Sequence, residues 1–398
     1  MKLEKGQVVK FDDLVLRFYT YAGVVEALDG VNLYLKENEV LGVVGETGCG
    51  KSVTALALMG IVLPPGKIEG GQILFDYKGK QLDMLHQKQD LLRGIRGHDI
   101  SMVFQEPRAY LNPVYNVEFQ ITEVIMVHRK KEFAQRVLDH LTEEYARKGE
   151  SLLYEADPFL NRILKFNISV YKRMAKNPND RYARFLSKIP IARRFGKLLK
   201  EEVHKEVIGL LRDMQIADPE RVAHMYPHEL SGGMAQRMVI AMALACDPKV
   251  LICDEPTTNL DVTVQAQILE LVSALKQRKK ASILYITHDL GVVAQLCDRV
   301  VVMYAGNAVE MGEVHKIFAE PIHPYTQALL ESIPAPGKPL KSIPGTVPSL
   351  INPIPGCRFH DRCRYAMDVC REVKPQFVEV KENHYAACFL YYSHDRRS

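Results

Sequence analysis

The chain has no apolar run near the ~20 residues that span a bilayer, which excludes a membrane-crossing helix from the reading. Its opening residues, Met1-Lys2-Leu3-Glu4-Lys5-Gly6, lack the apolar stretch of a secretory signal, so residence in the cytosol is expected. Charge of one sign is also scarce. The formal balance is +4 over 398 residues, and it is unevenly spread. Residues 129–205 hold 19 Lys+Arg against 10 Asp+Glu, a local +9, so the remainder is acidic and no uniform nucleic-acid-binding surface is indicated. Cysteine is modest at eight, and no short C-x₂₋₄-C pair of the zinc-finger kind occurs. Sustained heptads are missing too, which leaves no long coiled coil.

Against these absences stands one strong local signal. The apolar stretch 39–44 reads as a strand, and 53–59 reads as a helix. Between them lies Gly45-Glu46-Thr47-Gly48-Cys49-Gly50-Lys51-Ser52, a phosphate-binding loop in its required strand-to-helix setting. The glycines let backbone N–H groups turn around a polyphosphate, and the helix N-terminus adds positive potential. Lys51 is placed to reach β- and γ-phosphates, and Ser52 to hold Mg²⁺.

Taken in order, residues 8–36 alternate apolar and polar positions as two antiparallel strands do. Phe18 and Tyr21, at their junction, are candidates to stack on an adenine ring, or else half-buried strand aromatics. A β-rich run, 99–105, is stopped by Pro107 and leaves Gln105 at its end, where open α/β sheets place ligand sites. The segment 129–205 shows helical periodicity broken at Asp157-Pro158, Asn177-Pro178 and Ile189-Pro190. It reads as a helical subdomain with solvated basic faces; a surface for a partner or for anionic lipid is the alternative.

Ser231-Gly232-Gly233-Met234-Ala235-Gln236 follows, with Ser231 as an N-cap and two glycines that admit a phosphate close to free N–H groups. The buried-strand run 250–254 then ends on two acids. Asp254 suits a Mg²⁺ shell, and Glu255 suits activation of an attacking water. Asp261 opens another helix, and the strand-like 283–287 ends at His288. Seven of the 21 prolines fall in 334–355, a stiff connection to a tail with Cys357, Cys363, Cys370 and Cys388. Four thiols within 32 residues could hold structural zinc or an iron–sulfur cluster, and their spacing alone does not choose. Disulfides are disfavoured by a cytosolic setting.

Together these motifs resemble the ATP-binding-cassette ATPases in their full order. Gly45–Ser52 is similar to the Walker A motif, Gln105 to the Q-loop glutamine, and 231–236 to the family signature. Asp254 with Glu255 resembles Walker B and the catalytic glutamate, Asp261 the D-loop, and His288 the H-loop. The resemblance implies an α/β P-loop NTPase fold with an antiparallel β subdomain, a helical subdomain and a small Cys-rich extension. The cassette would span 1–312, with the basic helical insert at about 129–225, and the extension 313–398.

Tyr110-Leu111-Asn112-Pro113, Tyr226-Pro227-His228-Glu229-Leu230, His323-Pro324-Tyr325-Thr326 and Gly356-Cys357-Arg358-Phe359-His360-Asp361-Arg362-Cys363 resemble the dipeptide/oligopeptide-importer branch. That branch implies ATP and Mg²⁺ as ligands and a second ABC ATPase, usually a paralogue. It further implies two transmembrane permease subunits, an extracytoplasmic solute-binding protein and a place on the cytoplasmic membrane face. Gln105 would join Ser52 and Asp254 around Mg²⁺, and the tail cysteines would hold a [4Fe–4S] cluster in preference to zinc. Members of the branch import peptides, oligosaccharides or nickel; a soluble cassette acting on ribosomes or DNA is the competing class.

Overall fold

The computed structural model describes residues 2–149, 158–186, 189, 195–258, 260–334 and 342–391. Two compact units result, one formed by 1–106 with 247–398 and the other by 107–246.

In the first unit, the described strands are β1 (Gln7–Thr20), β2 (Gly23–Lys36), β3 (Val40–Val44), β4 (Gly66–Tyr77), β5 (Lys80–Asp83) and β6 (Ile100–Val103). They continue as β7 (Val250–Asp254), β8 (Ser282–Ile286), β9 (Arg299–Tyr304), β10 (Asn307–Glu313), β11 (Val378–Lys381) and β12 (His384–Ala386). The expected antiparallel pair 8–36 is β1 with β2, joined by β4 and β5 in a sheet ordered β2-β1-β4-β5. A second sheet runs β11-β12-β10-β9-β3-β8-β7-β6.

Strands β9, β3, β8, β7 and β6 of that second sheet are parallel. Every residue of β3, β7 and β8 is buried, which is why they read as unbroken apolar runs and do not alternate. The helix Lys51–Met59 starts after the left-handed Gly50. It stops at Gly60, whose φ of 61° lets its N–H close on Ala57 and Leu56 carbonyls. Its inner face packs Ala55 and Leu58 into one core with Leu33, Leu35, Val43 and Phe75. Truncating a side chain such as Leu33 to Ala there should cost about 2–5 kcal/mol.

The tail belongs to this same unit. β12 pairs with β10 through Glu310–Ala386 and Met311–Tyr385, and β11 pairs with β12. The stretch 342–355 of the proline-rich connection has no helix and touches β2 at the Val25–Ile351 bridge.

The second unit is helical, as the periodicity predicts. Phe133, Val137 and Leu141, at i, i+4 and i+8 of the helix Lys130–Gly149, are buried along one face. Tyr171 is fully buried, and its hydroxyl accepts the Leu199 N–H at 3.0 Å. The break at Asn177-Pro178 separates Pro158–Lys176 from Arg181–Leu186, and Asp180 restarts the chain by accepting the Ala183 N–H. Asp157 and Pro190, at the other two breaks, lie outside the described residues. Arg162, Lys165, Lys172, Arg173, Lys176, Arg181 and Arg184 are exposed, so the described basic residues of these two helices form a solvated face. Among the described residues no helix is long and apolar enough to cross a membrane.

Candidate active site

Four neighbouring parallel strands deliver four chemical groups at their carboxyl ends, where such sheets bind ligands. β3 runs into the phosphate loop, β6 leads to Gln105, β7 ends on Asp254 and Glu255, and β8 leads to His288. The loop depends on its glycines. A Cβ on Gly45 (φ 153°) would stand 2.1 Å from the Met303 carbonyl oxygen, and one on Gly50 (φ 103°) 2.8 Å from that of Ala27. Gly48 (φ 81°) faces open space. The loop is thus a close-fitted cradle at the start of a helix, where unpaired N–H groups favour an anion.

Lys51 is buried, and its Nζ donates to the carbonyls of Gly45 (2.8 Å) and Glu46 (3.2 Å). The ammonium is therefore held at the loop by acceptors that a phosphate can replace. Thr47 and Cys49 complete the turn, with Cys49 accepting through its carbonyl from Gly306 at 3.0 Å. Ser52 Oγ donates to Asp254 Oδ1 at 3.0 Å. Burial pushes the Asp254 carboxyl above the usual carboxylate range, the charge of Glu255 adds to this, and Ser52 and Lys51 oppose it. An alcohol and a desolvated carboxylate in contact are the oxygen donors a hard divalent cation takes.

Glu255 adopts a left-handed φ of 46°, uncommon for a side chain of its size and typical of over-determined functional positions. Its N–H is fixed on the Ile286 carbonyl at 3.0 Å. Three side chains then converge on its carboxylate. Gln105 Nε2 donates to Oε2 at 3.1 Å, Thr258 Oγ1 donates to Oε2 at 3.0 Å, and His288 Nδ1 stands 3.2 Å from Oε1. Gln105 and His288 are legible in the sequence, whereas the only signal for Thr258 is its place three residues after the glutamate.

The remaining expected residues take local roles. Ser231 Oγ accepts the Met234 N–H at 3.2 Å and caps the helix Gly232–Leu244, in the second unit. Gly232 and Gly233 form that helix's first turn, and Gln236 is buried with its Nε2 unpartnered. Asp261 caps Val262–Lys279 through the Val264 N–H at 2.9 Å. Phe18 lies in β1 opposite Val25 and Gly66, half-buried against the core, whereas Tyr21 is fully exposed at the β1–β2 turn. Of these two aromatics, Tyr21 has the more exposed ring.

The four tail cysteines line one cavity of about 20 Å³ together with Phe359, His360 and Tyr365. Burial raises the thiols of Cys357, to about 12, and Cys388, to about 11, and neighbouring thiols add to both shifts. Among the described residues, however, no group of three or more His, Cys, Asp or Glu is arranged to hold a metal ion. The tail thus gathers the expected donors in one place without closing them into a coordination shell.

This combination of loop, paired acids and strand-end glutamine and histidine defines an ATP-hydrolysing cassette, and the chain belongs to the ABC transporter family, whose profile matches residues 28–258. Residues 309–370 match the oligopeptide/dipeptide transporter C-terminal region, which places it in that branch. It is similar to the oligopeptide transport ATP-binding protein OppD of Bacillus subtilis, 40% identical over 389 residues, covering 96% of this chain and 89% of that protein. The dipeptide transport ATP-binding protein DppD of the same organism is also 40% identical, over 96% of this chain and 95% of its own length. Among solved structures, the dimeric bacterial ABC transporter cassette MJ0796 aligns with a TM-score of 0.52 at 20% identity, covering 77% of this chain and 98% of its own, which supports the fold. CbiO1 from Clostridium perfringens, part of the transporter complex cbiONQ, aligns with a TM-score of 0.51 at 25% identity, over 79% of this chain and 92% of its own.

Proposed function

We propose that this chain hydrolyses Mg·ATP to drive the import of di- or oligopeptides through a membrane permease, working from the cytoplasmic face as a peripheral subunit. The observation that carries the proposal is the convergence of Gln105, Thr258 and His288 on Glu255, beside the Ser52–Asp254 pair. In this reading Lys51 leaves the Gly45 and Glu46 carbonyls for the β- and γ-phosphates. Ser52, Asp254 and Gln105 would hold Mg²⁺, which supplies charge neutralisation at the phosphates. Glu255 accepts the proton of the attacking water, and His288 and Gln105 fix its carboxylate for that role. Of the two candidates, Phe18 and Tyr21, the exposed Tyr21 is the one proposed to stack on the adenine.

Ser231, Gly232 and Gly233, at a capped helix N-terminus, would serve the nucleotide of a second ABC ATPase, with Asp261 at the shared boundary. Two permease subunits and an extracytoplasmic binding protein would complete the transporter. Peptide as cargo is supported by the names of the similar transport ATP-binding proteins OppD and DppD and by the matched C-terminal region. The tail is proposed to hold a structural [4Fe–4S] cluster, or zinc in its place, on Cys357, Cys363, Cys370 and Cys388. Co-purification from native membranes tests the assembly: permease subunits in stoichiometric yield support it, and a chain that stays in the soluble fraction with ribosomes defeats it.

A further inference from the structure

Two features remain outside the nucleotide chemistry: the His323-Pro324-Tyr325-Thr326 run and the arginine that precedes Cys363. Both reach one residue of the phosphate loop. The Glu46 N–H donates to Tyr325 Oη at 3.0 Å. Arg362 takes the Glu46 carboxylate in a two-pronged grip, Nη1 to Oε2 at 2.8 Å and Nη2 to Oε1 at 3.1 Å.

The grip is built in. The Arg362 side chain is 6% exposed and that of Glu46 27%. Arg362 also donates from Nε to the Pro344 carbonyl (2.7 Å) and from Nη1 to Tyr304 Oη (3.1 Å), so its fork is fixed on three sides. Tyr304, Tyr325 and Phe359 pack ring to ring at 4.6–5.4 Å beneath it. Tyr325 is aimed in turn by buried His323, whose Nδ1 accepts the Tyr325 N–H at 3.0 Å.

The electrostatics give this contact a consequence. A carboxylate at the loop's second position opposes an incoming polyphosphate, and Lys51 Nζ already lies 3.2 Å from the Glu46 carbonyl oxygen. An unpaired Glu46 carboxylate would be the natural competitor for that ammonium. We propose that Arg362 and Tyr325 are positioning residues of the phosphate loop, holding Glu46 outward so that Lys51 stays available to the nucleotide. Arg362 does so by occupying the Glu46 carboxylate, and Tyr325 by pinning the Glu46 N–H on the loop's outer side. This rests on the nucleotide reading given above.

Equilibrium titration of the full-length chain with Mg·ATP, alongside steady-state kinetics of the assembled complex, tests it. Arg362→Met should weaken binding about tenfold or more, the scale of a lost charged hydrogen bond, and raise KM with kcat nearly unchanged. Adding Glu46→Gln to Arg362→Met should restore binding to within about threefold of the wild type, because the competing charge is gone. Arg362→Lys should fall between. Tyr325→Phe, which deletes one oxygen and keeps the packing, supplies a folded variant if Arg362→Met is unstable, and should weaken binding about threefold. Unchanged affinity in Arg362→Met or Tyr325→Phe, or no recovery on adding Glu46→Gln, overturns the proposal while wild-type binding stands. A wild-type chain that does not bind Mg·ATP defeats the nucleotide reading itself.

Discussion

Gln105 Nε2 donates to Glu255 Oε2 across 3.1 Å, joining residues 150 positions apart. β6 and β7 are neighbouring parallel strands, and these two side chains lie just past their carboxyl ends. Gln105 is also the penultimate residue before the chain enters the helical unit at 107. The Glu255 carboxylate is thereby in direct contact with the segment that follows β6 and leads out of this unit.

Replacing Glu255 with Gln keeps a side-chain oxygen for Gln105 and Thr258 but removes the carboxylate proposed to accept the proton. Hydrolysis should fall by ~10²–10⁴ with Mg·ATP affinity retained. Lys51→Ala should instead weaken binding itself. Turnover and equilibrium binding, measured on both variants, separate the roles; full turnover in Glu255→Gln removes Glu255 from catalysis.

The phosphate loop and the paired acids were legible because their chemistry is compressed into short runs flanked by apolar strand residues. The parallel strands were legible because two-sided burial leaves no polar position in β3. Thr258 and Arg362 were not. Thr258 matters only because the left-handed turn at Glu255 folds the chain back on itself. Arg362 lies 316 residues from Glu46, and no local periodicity encodes such a meeting. The tail's strands were hidden for a related reason. β11 and β12 are four and three residues long and exist because β12 adds to β10, whose paired residues Glu310 and Met311 precede Ala386 and Tyr385 by 76 and 74 positions, and β11 adds to β12.

His323 gives the chain a pH signature. Burial lowers its pKa from 6.5 to about 4, while Glu310, which accepts the His323 N–H at 2.8 Å and pairs with His384 at 2.7 Å, pulls the other way. The unfolded chain therefore binds the proton more tightly, and stability falls as pH drops from 6.5 towards 4, by up to about 3 kcal/mol. His323→Asn keeps an acceptor for the Tyr325 N–H but cannot titrate, so its urea midpoint should change less over that window. An identical acid slope in the variant would assign the loss to other groups.

In the helical unit, Arg129 is buried and donates to Glu132, Glu206 and the Ala245 carbonyl, the last at 2.7 Å. Arg129→Ala strands that carbonyl and leaves Glu132 and Glu206 with Arg136 as their remaining cation. A loss of about 1–3 kcal/mol in denaturant unfolding is expected, and no measurable loss would show the network to be dispensable.

The tail cysteines make a separate claim. Anaerobically purified protein should carry about four irons per chain and absorb broadly if the thiols hold a cluster, or about one zinc if they hold that metal. Protein free of both would leave the cavity among Cys357, Cys363, Cys370 and Cys388 as ordinary packing.

The central claim is that Glu255-dependent ATP hydrolysis by this chain powers peptide uptake. The most direct measurement is uptake of a labelled oligopeptide, by the complex isolated from native membranes, into vesicles with Mg·ATP on the face carrying this subunit. Accumulation that requires ATP and the binding protein, and that is lost with Glu255→Gln, is the expected result. ATP hydrolysis with no peptide accumulation, or accumulation that survives Glu255→Gln, would contradict it.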